Sequence, residues 1–291
     1  MRTRGVLCCL LVVLSVSCGA AAAPNGLIVL LTDYGADSIY VGELKGAIYT
    51  KFPAARIDAI SNSVPPFDIL CGAYMLAEAC KEFPAGTTFC CVVDPGVGTA
   101  RRCIVLQTKS GHLFVGPDNG LLSLSAEELG VATIRTAANT DLWRTGVVSR
   151  TFHGRDIFGP VAAAVAQGVS LAEIGPEIKD LVTAPVRRVR VEGDTVYGAV
   201  IRSDTYGNLV TNLSPKHLAG LGLNLHDTIE VAIGTKRFTA PWESTYSDVP
   251  EGRKVILVQS MGRVECAINM GNLAEELGEG LHAQVTFRKA E

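Results

Sequence analysis

Two carboxylates, a guanidinium and an imidazole stand at turn positions of this 291-residue chain, a set able to hold and polarise a small molecule. Asp94 and Arg101 come from TFCCVVDPGVGTARR at residues 88–102. Its apolar, β-branched and thiol residues read as a strand buried on both faces, and the Asp-Pro-Gly that follows must turn the chain. Gly96 and Gly98 let the backbone approach closely, so Arg101 can fold back on Asp94 as a charge-assisted pair. Asp33 follows a second apolar run, LIVLLT at residues 27–32, in the same manner. His153 lies in SRTFHGRD (149–156), just before an Ala-rich helical stretch at 157–167. A solvated surface ion pair explains Asp94 and Arg101 as well as a site does, and a lone histidine is more often structural than catalytic. The rest of the chain has to decide.

Two later stretches carry further polar groups. Ser203-Asp204-Thr205-Tyr206-Gly207-Asn208 interrupts an alternating pattern with a carboxylate, an aromatic face and an amide, although hairpin turns favour Asp, Gly and Asn anyway. QSMGRVECAINMGN (259–272) sets Ser260 and Glu265, both expected to bind substrate, around a short strand, where an exposed polar edge is the plainer reading.

The elements that must position these groups follow a β-α-β-α-β order. After the strand at 27–32, Asp37 or Ser38 can cap a helix with Tyr40, Leu44, Ala47 and Ile48 on one face. Residues 56–60 form a strand and 61–67, SNSVPPF, a loop stiffened by two prolines. A helix at 68–83 then leads to the strand of Asp94. This order predicts a largely parallel sheet with covering helices, whose carboxyl edge collects Asp33 and Asp94. Residues 103–108 and 112–115 flank Ser110-Gly111 as a hairpin, and a helix spans 121–129. Past Pro185 the pattern turns to short period-2 strands, which predicts a smaller antiparallel β domain. The expected division is an α/β domain over 25–184 and a β domain over 185–291.

Residues 1–24 carry two early arginines, an apolar run and a small-residue tail, the pattern of a secretory signal cleaved near Ala22 or Ala23. Export to a periplasm or the medium is therefore expected, with lipid anchoring at Cys18 a minor alternative. No later stretch is long and apolar enough to span a membrane. The formal net charge is −3 with no basic stripe, which argues against nucleic acid as a partner. Six cysteines remain after the signal, most inside expected strands or helices, so they read as small buried hydrophobes. Cys90 and Cys91 are adjacent on a strand and must point to opposite faces.

TDYG (32–35), VPPFD (64–68), DPGVGTARR (94–102), GPDNGLL (116–122), TFHGRDIFGP (151–160), SDTYGNLVTNL (203–213) and SMGRVECAINMGN (260–272) occur in this order. Together they resemble the S-adenosyl-L-methionine (SAM) hydrolases that form adenosine, also called SAM hydroxide adenosyltransferases, relatives of the SAM-dependent fluorinase and chlorinase. The resemblance runs from about Leu27 to the C-terminus. It implies a homotrimer with sites between the N-terminal domain of one subunit and the C-terminal domain of its neighbour. It also implies attack of a water-derived oxygen on the ribose 5′ carbon, with SAM as substrate and no metal or other cofactor. By the same resemblance Asp94, Arg101 and His153 are the catalytic set, Asp33 binds the ribose hydroxyls and Phe67 packs on the substrate. Asp204 would hold the methionine ammonium, Tyr206 and Asn208 the adenine, and Ser260 the methionine carboxylate. In halogenating relatives a tyrosine replaces Asp94 and a halide-holding serine replaces Gly154. A carboxylate about 4 Å from a halide repels it by about 4 kcal/mol at an effective dielectric of about 20. Hydrolysis is thus expected over halogenation, a SAM-dependent halogenase being the alternative within the class and an exported nucleoside-binding protein without turnover the alternative outside it. The chain departs from the family pattern at Asn62, Met261 and Arg263, beside the substrate rather than at the water.

Overall fold

The computed structural model describes residues 22–290, so the expected signal and Cys18 fall largely outside the described residues. From Asn25 onward the chain is fastened: its backbone N–H donates to the carbonyl of Gly86, and its side-chain amide to that of Ala85.

The first sheet is built from β1 (Leu27–Thr32), β2 (Arg56–Ser61), β3 (Thr88–Val92), β4 (Cys103–Thr108), β5 (Leu113–Pro117), β6 (Val131–Thr136) and β7 (Glu177–Ile178). Their order across the sheet is β2-β1-β3-β5-β4-β6-β7. The β1–β2, β1–β3 and β3–β5 pairings are parallel, whereas β4 pairs antiparallel with β5 and β6, as does β6 with β7. The sheet is therefore mixed, because the Ser110-Gly111 hairpin sets β4 against β5, and β6, absent from the sequence reading, pairs antiparallel with β4 in turn.

Four helices cover the sheet: α1 (Ile39–Lys51), α2 (Ile69–Ala79), α3 (Ser123–Leu129) and α4 (Gly159–Ala166). Ser38 caps α1 by accepting from the N–H of Tyr40, and Asp68 caps α2 by accepting from that of Cys71. The strands bury both faces. Ile28, Leu30, Cys90 and Val92 pack against Leu44 and Ile48 of α1 and the alanines of α4, while Val29, Leu31, Phe89 and Cys91 face α2 and α3. The adjacent Cys90 and Cys91 thus take opposite faces, as strand geometry requires. All six cysteines among the described residues are free thiols, five of them buried. The buried face of α1 is Val41, Leu44 and Ile48; Tyr40, expected on that face, is half exposed at the sheet edge.

Eight strands form a second, antiparallel sheet: β8 (Arg190–Glu192), β9 (Thr195–Ser203), β10 (Leu209–Thr211), β11 (Thr228–Ile233), β12 (Lys236–Pro241), β13 (Lys254–Val258), β14 (Val264–Ile268) and β15 (Gln284–Lys289). The main path is β12-β11-β15-β9-β10-β14-β13, with β8 alongside β9. Its two ends approach one another, since Trp242, just after β12, bridges Ile256 of β13. The interior is filled by Val196, Val200, Ile229, Val231, Val285 and Phe287 among others.

The two sheets are locked together along α2. Tyr74 packs with Ile201 and Val210, and Glu78 lies 3.7 Å from Arg202 and 3.4 Å from Arg263. Arg263, one of the positions that depart from the family pattern, is thus engaged between the domains, with its guanidinium 5.9 Å from the ring centre of Tyr74.

Candidate active site

β1 and β3 are parallel neighbours with Thr32 opposite Val92, so the aspartates that follow them emerge at one edge of the sheet. Both line a cleft of about 500 Å³, together with Tyr34, Phe67, Phe152, His153 and Gly154 among others. The end of β3 is held by the GPDNG turn, where the Asn119 amide donates to the carbonyl of Val93 at 2.9 Å. That turn is itself anchored by the Arg102–Asp118 ion pair.

Arg101 does not itself line the cleft but ties together two side chains that do, Asp94 and His153. Its Nε donates to both carboxylate oxygens of Asp94, at 3.0 and 3.1 Å, and its Nη2 donates to Oδ2 as well. The same Nη2 lies 2.9 Å from Nδ1 of His153, and Nη1 donates to the sulfur of Cys103 at 2.9 Å. The two charged side chains are 10% and 4% exposed, so this is a desolvated pair rather than the solvated one that a surface turn would give. A guanidinium has only donors, so Nδ1 of His153 must be the acceptor and the ring proton sits on Nε2. Burial first, and then the Arg101 charge, lower the His153 pKa from its ordinary value. Among sequence-expected residues, Asp94, Arg101 and His153 are therefore brought into one contiguous network.

The loop that carries His153 is fixed from below by Asp156. Asp156 is fully buried, takes ion pairs from Arg144 and Arg155, and accepts from the N–H of Ser149 at 2.7 Å. Residues Gly154–Phe158 form a π-turn in which the Gly159 N–H reaches the Gly154 carbonyl. Such single π-turns are frequent at functional sites, and this one begins directly after His153. Gly154 is tightly confined, for a Cβ there would lie 2.1 Å from Oη of Tyr34. Gly98 has a φ of +77°, and a Cβ on it would fall 2.4 Å from the carbonyl of Arg150, so the Asp94 and His153 loops touch backbone to backbone.

Asp33 points at the neighbouring loop, its Oδ2 accepting from the N–H of Phe67 at 2.9 Å. Phe67 adopts a φ of +65° and is 72% exposed. A bulky residue held in the left-handed region stores strain, a feature that gathers at functional sites. Asn62 braces the same loop by accepting from the hydroxyl of Thr32 at 3.0 Å.

The second set of expected residues forms a separate cleft of about 670 Å³, lined by Asp204, Tyr206, Asn208 and Tyr246 with the 268–272 turn. It shares no lining residue with the first. Oδ1 of Asp204 accepts from the N–H groups of Tyr206 and Asn208, and its Oδ2 accepts from the Asn208 amide, each at about 3 Å. Gly207 between them has a φ of +81°, and a Cβ there would also meet Oδ1 of Asn272 at 1.8 Å, so a side chain is disfavoured. Ser260 is exposed in the β13–β14 loop, off the wall of this cleft. Glu265 is also off the wall, 3% exposed on an interior strand rather than on a polar edge, with Oε1 accepting from the Tyr246 hydroxyl at 2.7 Å.

Sequence reasoning missed Tyr34, Tyr40 and Phe152, whose rings meet edge to face with centres 5.2 to 6.2 Å apart at the first cleft. It also missed the support given by Asp156 and the presence of Tyr246. Tyr34 and Asp156 stood within recognised motifs, but no local pattern pointed to Tyr246. Among the described residues no cluster of three His, Cys, Asp or Glu side chains forms a candidate metal centre.

A mixed α/β sheet delivering an Asp-Arg-His network to its edge, joined to an antiparallel β domain with its own acid-and-amide cleft, defines a two-domain class of protein. Comparison with known proteins gives the family. Residues 28–175 match the model of the SAM hydroxide adenosyltransferase N-terminal domain, and residues 198–286 that of the C-terminal domain. The chain belongs to this family. It is 39% identical to an (R)-S-adenosyl-L-methionine hydrolase of Salinispora tropica, over 88% of this chain and 95% of that protein. It is 34% identical to the hydrolase of the same name from Thermus thermophilus, over 85% and 94%. A fluorinase of an Actinoplanes species is more distant, at 26% identity over 91% and 98%. A crystal structure of an uncharacterized conserved protein from Thermotoga maritima superposes with a TM-score of 0.86 at 37% identity, covering 90% of this chain and all of that one.

Proposed function

We propose that the protein hydrolyses S-adenosyl-L-methionine to adenosine and L-methionine, with water attacking the ribose 5′ carbon. The observation that carries this reading is the single guanidinium of Arg101 that ties together Asp94 and His153, two side chains lining the cleft. The leaving group is a neutral thioether departing from a sulfonium, so no acid is needed to expel it. Water is the weak partner, and the site has to align it and receive one proton. With Nδ1 of His153 already accepting from Arg101 and Nε2 carrying hydrogen, the neutral imidazole has no free lone pair. It serves as a donor that orients the water. The open lone pairs of the Asp94 carboxylate take the proton as the C–O bond forms and the C–S bond breaks, Arg101 keeping that carboxylate in register.

Water is favoured over halide by two features. Asp94 puts negative charge where a halide would sit, and Gly154 has no room for an anion-holding side chain because the Tyr34 hydroxyl occupies it. Asp33 would hold the ribose hydroxyls and Phe67 the substrate's face. Asp204, Tyr206 and Asn208 would bind the ammonium and adenine, with Ser260 at the carboxylate. Apart from Ser260, these groups lie in two clefts of one chain, and both Phe67 and Tyr206 are largely exposed. We infer that a site is completed between the N-terminal domain of one subunit and the C-terminal domain of another, in a homotrimer. Residues 1–24 further support export of the mature chain, which a cleavage site near Ala22 or Ala23 in the secreted protein would establish.

The experiment is incubation of the mature protein with SAM in ¹⁸O-labelled water, with and without chloride, followed by mass analysis of the nucleoside. Labelled adenosine is the expected product. A 5′-chloro-5′-deoxyadenosine product would move the assignment to a halogenase, and binding of SAM without any product would leave a nucleoside-binding protein.

A further inference from the structure

Glu265 is a buried carboxylate that the proposed reaction does not use. It sits on β14 between β10 and β13. An acid in the middle of a sheet is unfavourable there unless it is hydrogen-bonded. Burial raises its pKa first of all, and the negative charge of Asp204 adds to this, while the Tyr246 hydroxyl and the Arg202 charge act in the opposite sense. Its one side-chain hydrogen bond is the 2.7 Å contact from Tyr246.

Tyr246 belongs to the long connection between β12 and β13. This connection is pinned near its start by the Glu243 N–H donating to the carbonyl of Ile256, and then makes a 3₁₀ turn at Tyr246–Asp248. The turn closes on itself through the Thr245 N–H and Asp248. From it the phenol enters the wall of the cleft that also contains Asp204 and Asn208. The ring is thus carried by a loop, while its hydroxyl is gripped by the interior of the sheet.

We propose that Glu265 is a positioning residue of the nucleoside half-site, holding Tyr246 by its hydroxyl so that the phenol is a fixed aromatic wall for a purine ring. The proposal rests on the reading that this cleft takes the adenosine portion of SAM. A loop-borne aromatic side chain loses rotamer freedom when it stacks on a ligand; one already clamped has lost it beforehand and binds more tightly. Glu265 touches no substrate, and its influence passes through Tyr246 alone.

The test uses the full mature chain, with adenosine affinity from calorimetry and KM and kcat for SAM measured side by side. Thermal unfolding follows the fold of each variant. Tyr246→Phe and Glu265→Leu are each expected to weaken adenosine binding and raise KM by about threefold to tenfold, with kcat within about twofold of the wild type. The double variant should be no worse than Glu265→Leu alone. Glu265→Gln still offers an oxygen to the hydroxyl and should stay near wild type. If Glu265→Leu fails to fold, Tyr246→Phe and Glu265→Gln decide the matter. The brace is overturned by unchanged binding in Tyr246→Phe, by losses that add in the double variant, by a fall in kcat with KM unmoved, or by Glu265→Gln behaving as Leu does. A wild type that turns over SAM while these variants match it counts against the brace alone. A wild type that binds neither adenosine nor SAM removes the functional reading, and the brace with it.

Discussion

Nη2 of Arg101 lies 2.9 Å from Nδ1 of His153, so the imidazole can meet the cleft only as an N–H donor. For this contact to survive, His153 must stay neutral, and burial together with the Arg101 charge lowers its pKa accordingly. As pH falls through that lowered value, Nδ1 gains a proton that faces a guanidinium, and the network opens. The rate should therefore be flat between about pH 7 and 8 and lose activity only below the ordinary imidazole value of about 6.5. A rate that climbs through pH 7 as an imidazole deprotonates would mean that His153 works as a base with an unshifted pKa.

The donor role separates two substitutions. His153→Gln keeps an N–H in the cleft and should cost about tenfold in kcat, whereas His153→Ala should cost about 10²-fold or more. Equal losses in the two variants would show that the N–H is not what the ring contributes.

Gly98 joins the loops that carry Asp94 and His153. Its φ of +77° disfavours any side chain, and a Cβ would fall 2.4 Å from the Arg150 carbonyl. Gly98→Ala is expected to destabilise the protein by about 1–3 kcal/mol in chemical denaturation and to lower kcat, as the Asp94 and His153 loops are pushed apart. Wild-type stability together with wild-type kcat would show that the loops do not depend on this contact.

Much of this architecture was legible because continuous apolar runs ending in Asp mark buried strands. That is why β1 and β3, and the shared edge of Asp33 and Asp94, could be read directly. β6 and β12 escaped for the opposite reason: VATIRT and KRFTAP are largely exposed or only partly buried, so neither periodicity nor hydrophobicity sets them apart from loop. The helical face of α1 was misjudged at Tyr40 because an aromatic residue that lines a cleft looks like one that fills a core. Contacts across long stretches of sequence were invisible as well. Arg101 and His153 are 52 positions apart, and Tyr246 sits among Ser, Thr and Asp, 19 positions from the buried Glu265 that holds it.

The halogenase alternative makes its own prediction at Gly154. Serine is the residue expected there in halogenating relatives, but its Cβ would lie 2.1 Å from the Tyr34 hydroxyl, which is flanked by Phe152. Gly154→Ser alone should therefore displace Tyr34 and reduce hydrolysis without yielding any 5′-halogenated nucleoside in high chloride. Adding Tyr34→Phe removes the obstructing oxygen and should recover part of the hydrolysis, still without halogenation, because Asp94 remains. A halogenated product from the single variant would show that the charge of Asp94 does not exclude halide.

Two clefts without a common lining residue, one bearing Asp94 and the other Asp204, make the strongest case for a shared site. If each site pairs the first cleft of one subunit with the second cleft of another, a chain carrying Asp94→Asn still offers an intact Asp204 cleft, and a chain carrying Asp204→Asn an intact Asp94 cleft. Each variant alone should be nearly inactive. Co-expressed in equal amounts and assorted at random, the two should regain about a quarter of wild-type activity, since one site in four then draws both halves from unaltered domains. Sites built within single chains would show no recovery, because every chain in the mixture carries a defect. Sedimentation of the co-expressed material at the mass of a trimer, with activity at that peak, would tie the recovery to assembly. Trimers that form but remain as inactive as the separate variants would require both clefts to serve the chain that bears them.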